Sequence, residues 1–126
     1  MTITLATLAD ATAQEVFDQV VTHLLTQNAR SVGGDEFKCM YRGVNGLKCA
    51  AGCLFSDDEF ENSEISAFNQ LGWGTMINSL NFTKTHMNLI LSLQNIHDSI
   101  GPKNWKEWLT KTAADKNLQF NWVKPA

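Results

Sequence analysis

The order of apolar and polar positions divides the chain into helical and extended stretches. Residues 1–8 alternate hydroxyl and apolar side chains (Thr2, Ile3, Thr4, Leu5), which reads as either a short strand or an extended arm. A helical period follows. Thr12 and Glu15 have capping-box spacing, in which a hydroxyl and a carboxylate satisfy free backbone N–H groups. Behind them Ala13, Phe17, Val20, Val21, Leu24 and Leu25 recur at helical intervals and make a stripe that needs a partner surface. The pattern fades over 27–30, and Gly33-Gly34 punctuates a loop.

Period two takes over next. Phe37, Cys39 and Tyr41 share one face, with Lys38, Met40 and Arg42 on the other. Gly43-Val44-Asn45-Gly46 supplies a turn, since Asn-Gly tolerates positive φ, and residues 47–50 return. A small antiparallel β-hairpin over about 37–50 is expected. Residues 51–55 read as a buried strand end or as one helical turn. An acidic stretch follows, with a short helix expected over 64–71, and Gly72-Trp73-Gly74 marks a break.

Residues 83–99 predict the central helix. Met87, Ile90, Leu91 and Gln94 line one side, and Leu89, Leu93, Ile96 and Ile100 another, so it is buried on several sides. Gly101-Pro102 ends it. Asn104 with Glu107 predicts the cap of a last helix reaching about residue 116, with Trp105, Trp108, Leu109, Thr112 and Ala113 inward. Leu118, Phe120 and Trp122 at period two predict an extended tail on the core, with the N-terminal arm as a candidate partner. The pattern predicts an α+β fold, helix-dominated, with the hairpin packed against an N-terminal helix and two C-terminal helices. Trp105, Trp108, Leu91, Phe17 and Leu24 are its expected core.

Composition narrows the class. With 126 residues the chain suits a single compact domain, 1–126, large enough for a core without staples. A formal charge of -3 lacks the basic excess of a phosphate-neutralising protein, so no nucleic-acid partner is expected. Three cysteines, an odd count, read as reduced thiols in a cytoplasmic protein. The start has neither a basic region nor a long apolar run, and the longest uncharged stretch, 65–83, is too polar to span a bilayer. Charge is uneven. Asp57, Asp58, Glu59, Glu61 and Glu64 crowd together, whereas from Lys103 onward five lysines face only Glu107 and Asp115. The acidic run is either a solvated loop or a docking patch for a basic partner.

The densest chemistry lies in Cys39-Met40-Tyr41-Arg42 and Gly46-Leu47-Lys48-Cys49-Ala50-Ala51-Gly52-Cys53-Leu54. Zinc needs close ligand pairs, and only Cys49 and Cys53 make one, so neither metal nor cofactor is expected. A cysteine nucleophile is the second reading: Cys49 at a helix start beside Lys48, with His97 as base and Asp98 or Asn95 as orienter. Neighbouring side chains on a helix diverge by ~100°, so Asp98 is poorly placed to orient His97. Buried cysteine as a small core residue is the plainer reading. The third is structural, with Arg42 or Lys48 pairing the acids of 57–59. Gln94 and His97 need hydrogen-bond partners if buried. Trp73 is either an exposed anchor or core, and its flanking glycines lack the residues of a phosphate loop.

The run Cys39-x-Tyr41-Arg42, Gly46-Leu47-Lys48-Cys49-Ala50-x-Gly52-Cys53-Leu54 and Asp57-Asp58, with Leu93-Gln94-x-x-His97-Asp98 and Trp105 downstream, resembles a family of small uncharacterised phage and bacterial proteins. The resemblance covers roughly residues 13–117. It implies a phage or mobile-element setting, hence host cytoplasm, and no particular reaction. The expectation is a soluble phage-type accessory protein that binds a host protein, in its concrete form inhibiting a host enzyme or defence system. Tyr41, Arg42, Asp57, Asp58, Glu59 and Trp73 are the candidate contacts. The alternatives are a small hydrolase or transferase using Cys49 and His97, and a structural virion component.

Overall fold

In the computed structural model, residues 2–33, 38–61, 64–69 and 72–124 are described, Lys38 and Cys39 by their backbone alone. Helix α1 (Ala13–Gln27) starts on the expected capping box, with Thr12 and Glu15 each accepting from the other's backbone N–H. Its stripe of Val16, Phe17, Val20, Val21 and Leu24 is buried. Each such side chain contributes ~1.5–3 kcal/mol when fully buried. The helix ends at Asn28, whose left-handed conformation lets its N–H close on the Leu24 carbonyl. The buried apolar residues form one connected core, with α1 packed on the turn at Ala51–Leu54 and on the helices Met87–Ser99 and Trp105–Asp115.

The hairpin expected over about 37–50 is not the observed arrangement, and its first residue, Phe37, lies outside the described residues. Strand β1 (Val32–Gly33) pairs antiparallel with β2 (Lys38–Cys39), upstream of the expected turn. The turn chemistry itself was read correctly: Asn45 and Gly46 take φ 58° and 76°. Across that turn only one bridge forms, Arg42 with Lys48, joined by Gly43 N–H to the Leu47 carbonyl at 2.9 Å. The reason lies in the backbone groups. Tyr41 N–H donates to the Asn69 carbonyl and Arg42 N–H to Asn69 Oδ1, while Gln27 takes both the N–H and the carbonyl of Lys48. Ladder groups used this way cannot extend a ladder. The chain is helix-dominated, and among the described residues its β component is confined to these short pairings.

Among the described residues this device occurs four times. A side-chain amide accepts one residue's N–H and donates to that residue's carbonyl, as a neighbouring strand would. Gln19 holds Ile3 (2.7 and 3.0 Å), Gln14 holds Gln119 (2.8 and 2.9 Å), Gln27 holds Lys48 (3.0 and 2.8 Å) and Asn69 holds Arg42 (2.8 and 3.0 Å). The N-terminal arm and the tail are thus both fastened to α1, and among the described residues no hydrogen bond joins them to each other.

Residues 51–55 resolve as a helical turn, Ala51–Leu54. Helix α2 (Asp57–Glu61) lies in the acidic stretch, and Ser56 with Glu59 caps it: Glu59 N–H donates to Ser56 Oγ at 3.0 Å and Ser56 N–H to Glu59 Oε1 at 2.8 Å. The short helix expected over 64–71 is present as a 3-10 helix, Glu64–Phe68, and residues 70 and 71 lie outside the described residues. The expected break at Gly72 is the start of helix α3 (Trp73–Leu80), which buries Trp73, Met76 and Ile77. Helix α4 (Met87–Ser99) begins later than residue 83, after His86 turns left-handed and donates to the Ala11 carbonyl at 2.6 Å. Helix α5 (Trp105–Asp115) follows the turn Pro102–Asn104, and Asn104 does not cap it with its side chain.

Three expected core residues are buried: Trp105, Phe17 and Leu24. Two are not, since Trp108 keeps 42% and Leu91 40% of its surface exposed. The buried line of α5 runs through Trp105, Leu109 and Ala113, four residues apart, which leaves Trp108 on the flank. Among the described residues no helix is long and apolar enough to cross a membrane.

Candidate functional site

The segment 41–61 is a knot held by Arg42. Its guanidinium donates to the carbonyls of Tyr41 (3.2 Å), Gly52 (2.6 Å) and Phe55 (2.9 Å) and to Asp57 Oδ1 (2.9 Å). It also lies over the rings of Phe55 and Phe60. Beside it Tyr41, Phe55, Phe60 and Trp73 pack on one another edge-on or stacked, with centroids 5.6–6.4 Å apart. Tyr41 and Trp73 are therefore core, and Arg42 is taken up by backbone carbonyls. Gly52 fits because the Tyr41 backbone passes where a Cβ would lie.

The pairing expected of Arg42 or Lys48 with the following acids occurs at Asp57, with Lys48 Nζ at 3.6 Å. Lys48 first, then Arg42, hold the Asp57 carboxyl below the usual carboxylate range. Glu59 faces inward to the chain: Oε1 accepts from Leu5 N–H and Ser56 N–H, and Oε2 from Ala6 N–H. Asp58, Glu61 and Glu64 are exposed and have no cationic partner among the described residues.

Cys49 is buried at the base of the knot, its Sγ accepting from Gly52 N–H at 3.2 Å. Burial pushes its thiol far up from the ordinary value. Cys53 donates its thiol to the Ala50 carbonyl, and burial pushes it up to about 12 against the pull of Lys48 and Arg42. Cys39 lies outside the described side chains. Among the described residues no three His, Cys, Asp or Glu side chains converge to hold a metal.

His97 belongs to a second network. Contrary to the divergence expected of neighbours on a helix, its Nδ1 lies 2.7 Å from Asp98 Oδ1. The Asp98 carboxylate is drawn back along the helix by Gln94 Nε2, also at 2.7 Å, while Gln94 Oε1 accepts from Ala51 N–H. His97 Nε2 accepts from Ser31 N–H at 2.9 Å, so the ring proton sits on Nδ1 and is donated to Asp98. The ring is fully buried and stacks on Trp105. Its one lone pair is used by the backbone, and among the described residues no hydrogen bond joins it to Cys49. The network ties α4 to Ser31 and to the Ala51 turn.

Sequence reasoning missed the arm-holding role of Glu59, although Ser56-x-x-Glu59 is a capping-box signal. It also missed the exposed Trp108, which carries Lys111 Nζ 4.7 Å from its ring. Comparison with protein-family models, with curated proteins and with solved structures finds no match.

Proposed function

We propose that this chain acts by binding another protein, and that the acidic edge of α2 and the following turn is its contact. The observation that carries the reading is the state of the acids there. Asp58, Glu61 and Glu64 are exposed without a cation among the described residues, on a helix fixed by the Ser56–Glu59 box and the Arg42–Asp57 pair. Charges on a rigid support steer and orient a basic partner. The nucleophile and base of the alternative reading, Cys49 and His97, are engaged in holding the fold, which favours binding over catalysis at that cluster. With the phage-like pattern of the sequence, the concrete form is a soluble accessory protein that occludes a basic surface of a host enzyme or defence protein in the host cytoplasm.

Asp58→Ser/Glu61→Ser tests it. Affinity capture from host extract is run with both proteins, alongside thermal unfolding. The reading expects a partner held by the wild type and lost by the variant at unchanged Tm. A partner held equally by both removes α2 as the contact.

A further inference from the structure

The C-terminal part of the chain presents the opposite chemistry. Lys103, Lys106, Lys111 and Lys124 are exposed along α5 and the tail, and Lys116 is half-buried. Of these, Lys111 shares Glu107 at 3.5 Å, and the others have no carboxylate partner among the described residues. Two of these lysines lie over tryptophan rings, Lys111 over Trp108 and Lys106 over Trp122. Trp108 is 42% exposed, Val123 is 81% exposed, and Trp122 lies 5.9 Å below Lys106 Nζ. A partly exposed tryptophan with Lys111 Nζ 4.7 Å from its ring has the make-up of an interface centre with a charged neighbour.

We propose that this face of α5 docks on the acidic edge of α2 in a second copy of the same chain. The two surfaces are opposite in charge and lie on elements packed against different neighbours. Helix α5 packs on α1 and α4, whereas α2 packs on the turn Glu64–Phe68. Within one copy no ion pair joins Asp58, Glu61 or Glu64 to Lys103, Lys106 or Lys111 among the described residues, and a contact between copies brings them together. Such a contact joins two different patches and is therefore head-to-tail, leaving one free acidic edge and one free basic face on every pair. It grows into a ring or a row of copies and weakens with salt. Because it uses the acidic edge, self-association and capture of a basic partner compete.

Sedimentation velocity of the wild-type chain across concentration, at ~20 mM and ~500 mM salt, reads the contact directly. Two variants block its two halves: Asp58→Lys/Glu61→Lys and Lys106→Glu/Lys111→Glu, with Asp58→Asn/Glu61→Gln as a milder acidic-edge change. Circular dichroism shows that each is folded. Growth in mass with concentration at low salt, absent at high salt, is expected of the wild type. Each charge-reversed variant alone stays monomeric. Mixed, they associate again at low salt, because the intact basic face of one meets the intact acidic edge of the other and the two reversed patches are themselves opposite in charge. Trp108→Ala weakens the wild-type association by about tenfold or more. A wild type that is monomeric at low salt overturns the proposal while leaving binding of a basic protein at α2 untouched. So does association that survives both reversals, or a mixture of variants that stays monomeric.

Discussion

Arg42 donates to three backbone carbonyls while its charge is met by Asp57 and by two aromatic faces. Arg42→Met keeps the stem and strands those carbonyls, so a loss of ~3 kcal/mol or more in urea unfolding is expected. Arg42→Lys recovers little of it, since an ammonium cannot reproduce the fork. An unchanged urea midpoint in Arg42→Met would remove Arg42 from the account. Gly52→Ala forces the new Cβ into the Tyr41 backbone and is destabilising for a different reason. At this scale the sequence showed which residues matter better than why. The Arg42–Asp57 pair was legible from type and proximity. Cys49 and His97 were legible only as chemistry, because no residue pattern reveals that Ser31 N–H takes the His97 lone pair or that Gly52 N–H meets the Cys49 sulfur.

Helices with a full apolar period were readable, as α1 shows down to its cap. Helices α2 and α3 were not. The first has five residues and the second opens with a Gly-Trp-Gly break signal, so neither offers enough turns for a period to emerge. The hairpin failed because its ladder groups are claimed by Gln27 and Asn69, contacts between residues distant in sequence. Those amides make a clear prediction. Gln27→Leu leaves the Lys48 N–H without its partner and costs ~1–3 kcal/mol by chemical denaturation, while Gln27→Glu keeps only the acceptor. Nearby, His23 Nε2 donates to the same Lys48 carbonyl, and burial lowers the His23 pKa from its ordinary value against that bond. A folded-state pKa below the unfolded ~6.5 means the contribution is present above that pH and lost as pH falls toward the folded value. Between wild type and His23→Gln, the difference in stability therefore shrinks on acidification from pH ~7. A difference that grows on acidification would reverse the assignment.

Across the whole molecule, the residues that look reactive in the sequence hold the inside together, and the charge that looks incidental is sorted onto separate surfaces. The acidic run and the lysine-rich end were visible as composition. What sequence could not give is that α5 packs on α1 and α4 while α2 packs on the turn Glu64–Phe68, or the turning of Trp108 outward beside Lys111. Function on this account lies at the exposed acids and lysines, and the Cys49 cluster is structural. Native thiol labelling tests that most directly: intact mass and peptide mapping after limiting iodoacetamide, from about pH 6 to pH 9. The account predicts that Cys49 stays unmodified in the folded chain and reacts once the chain is denatured. Rapid modification of Cys49 in the folded chain near pH 6 would contradict it and return the search to a cysteine-dependent reaction.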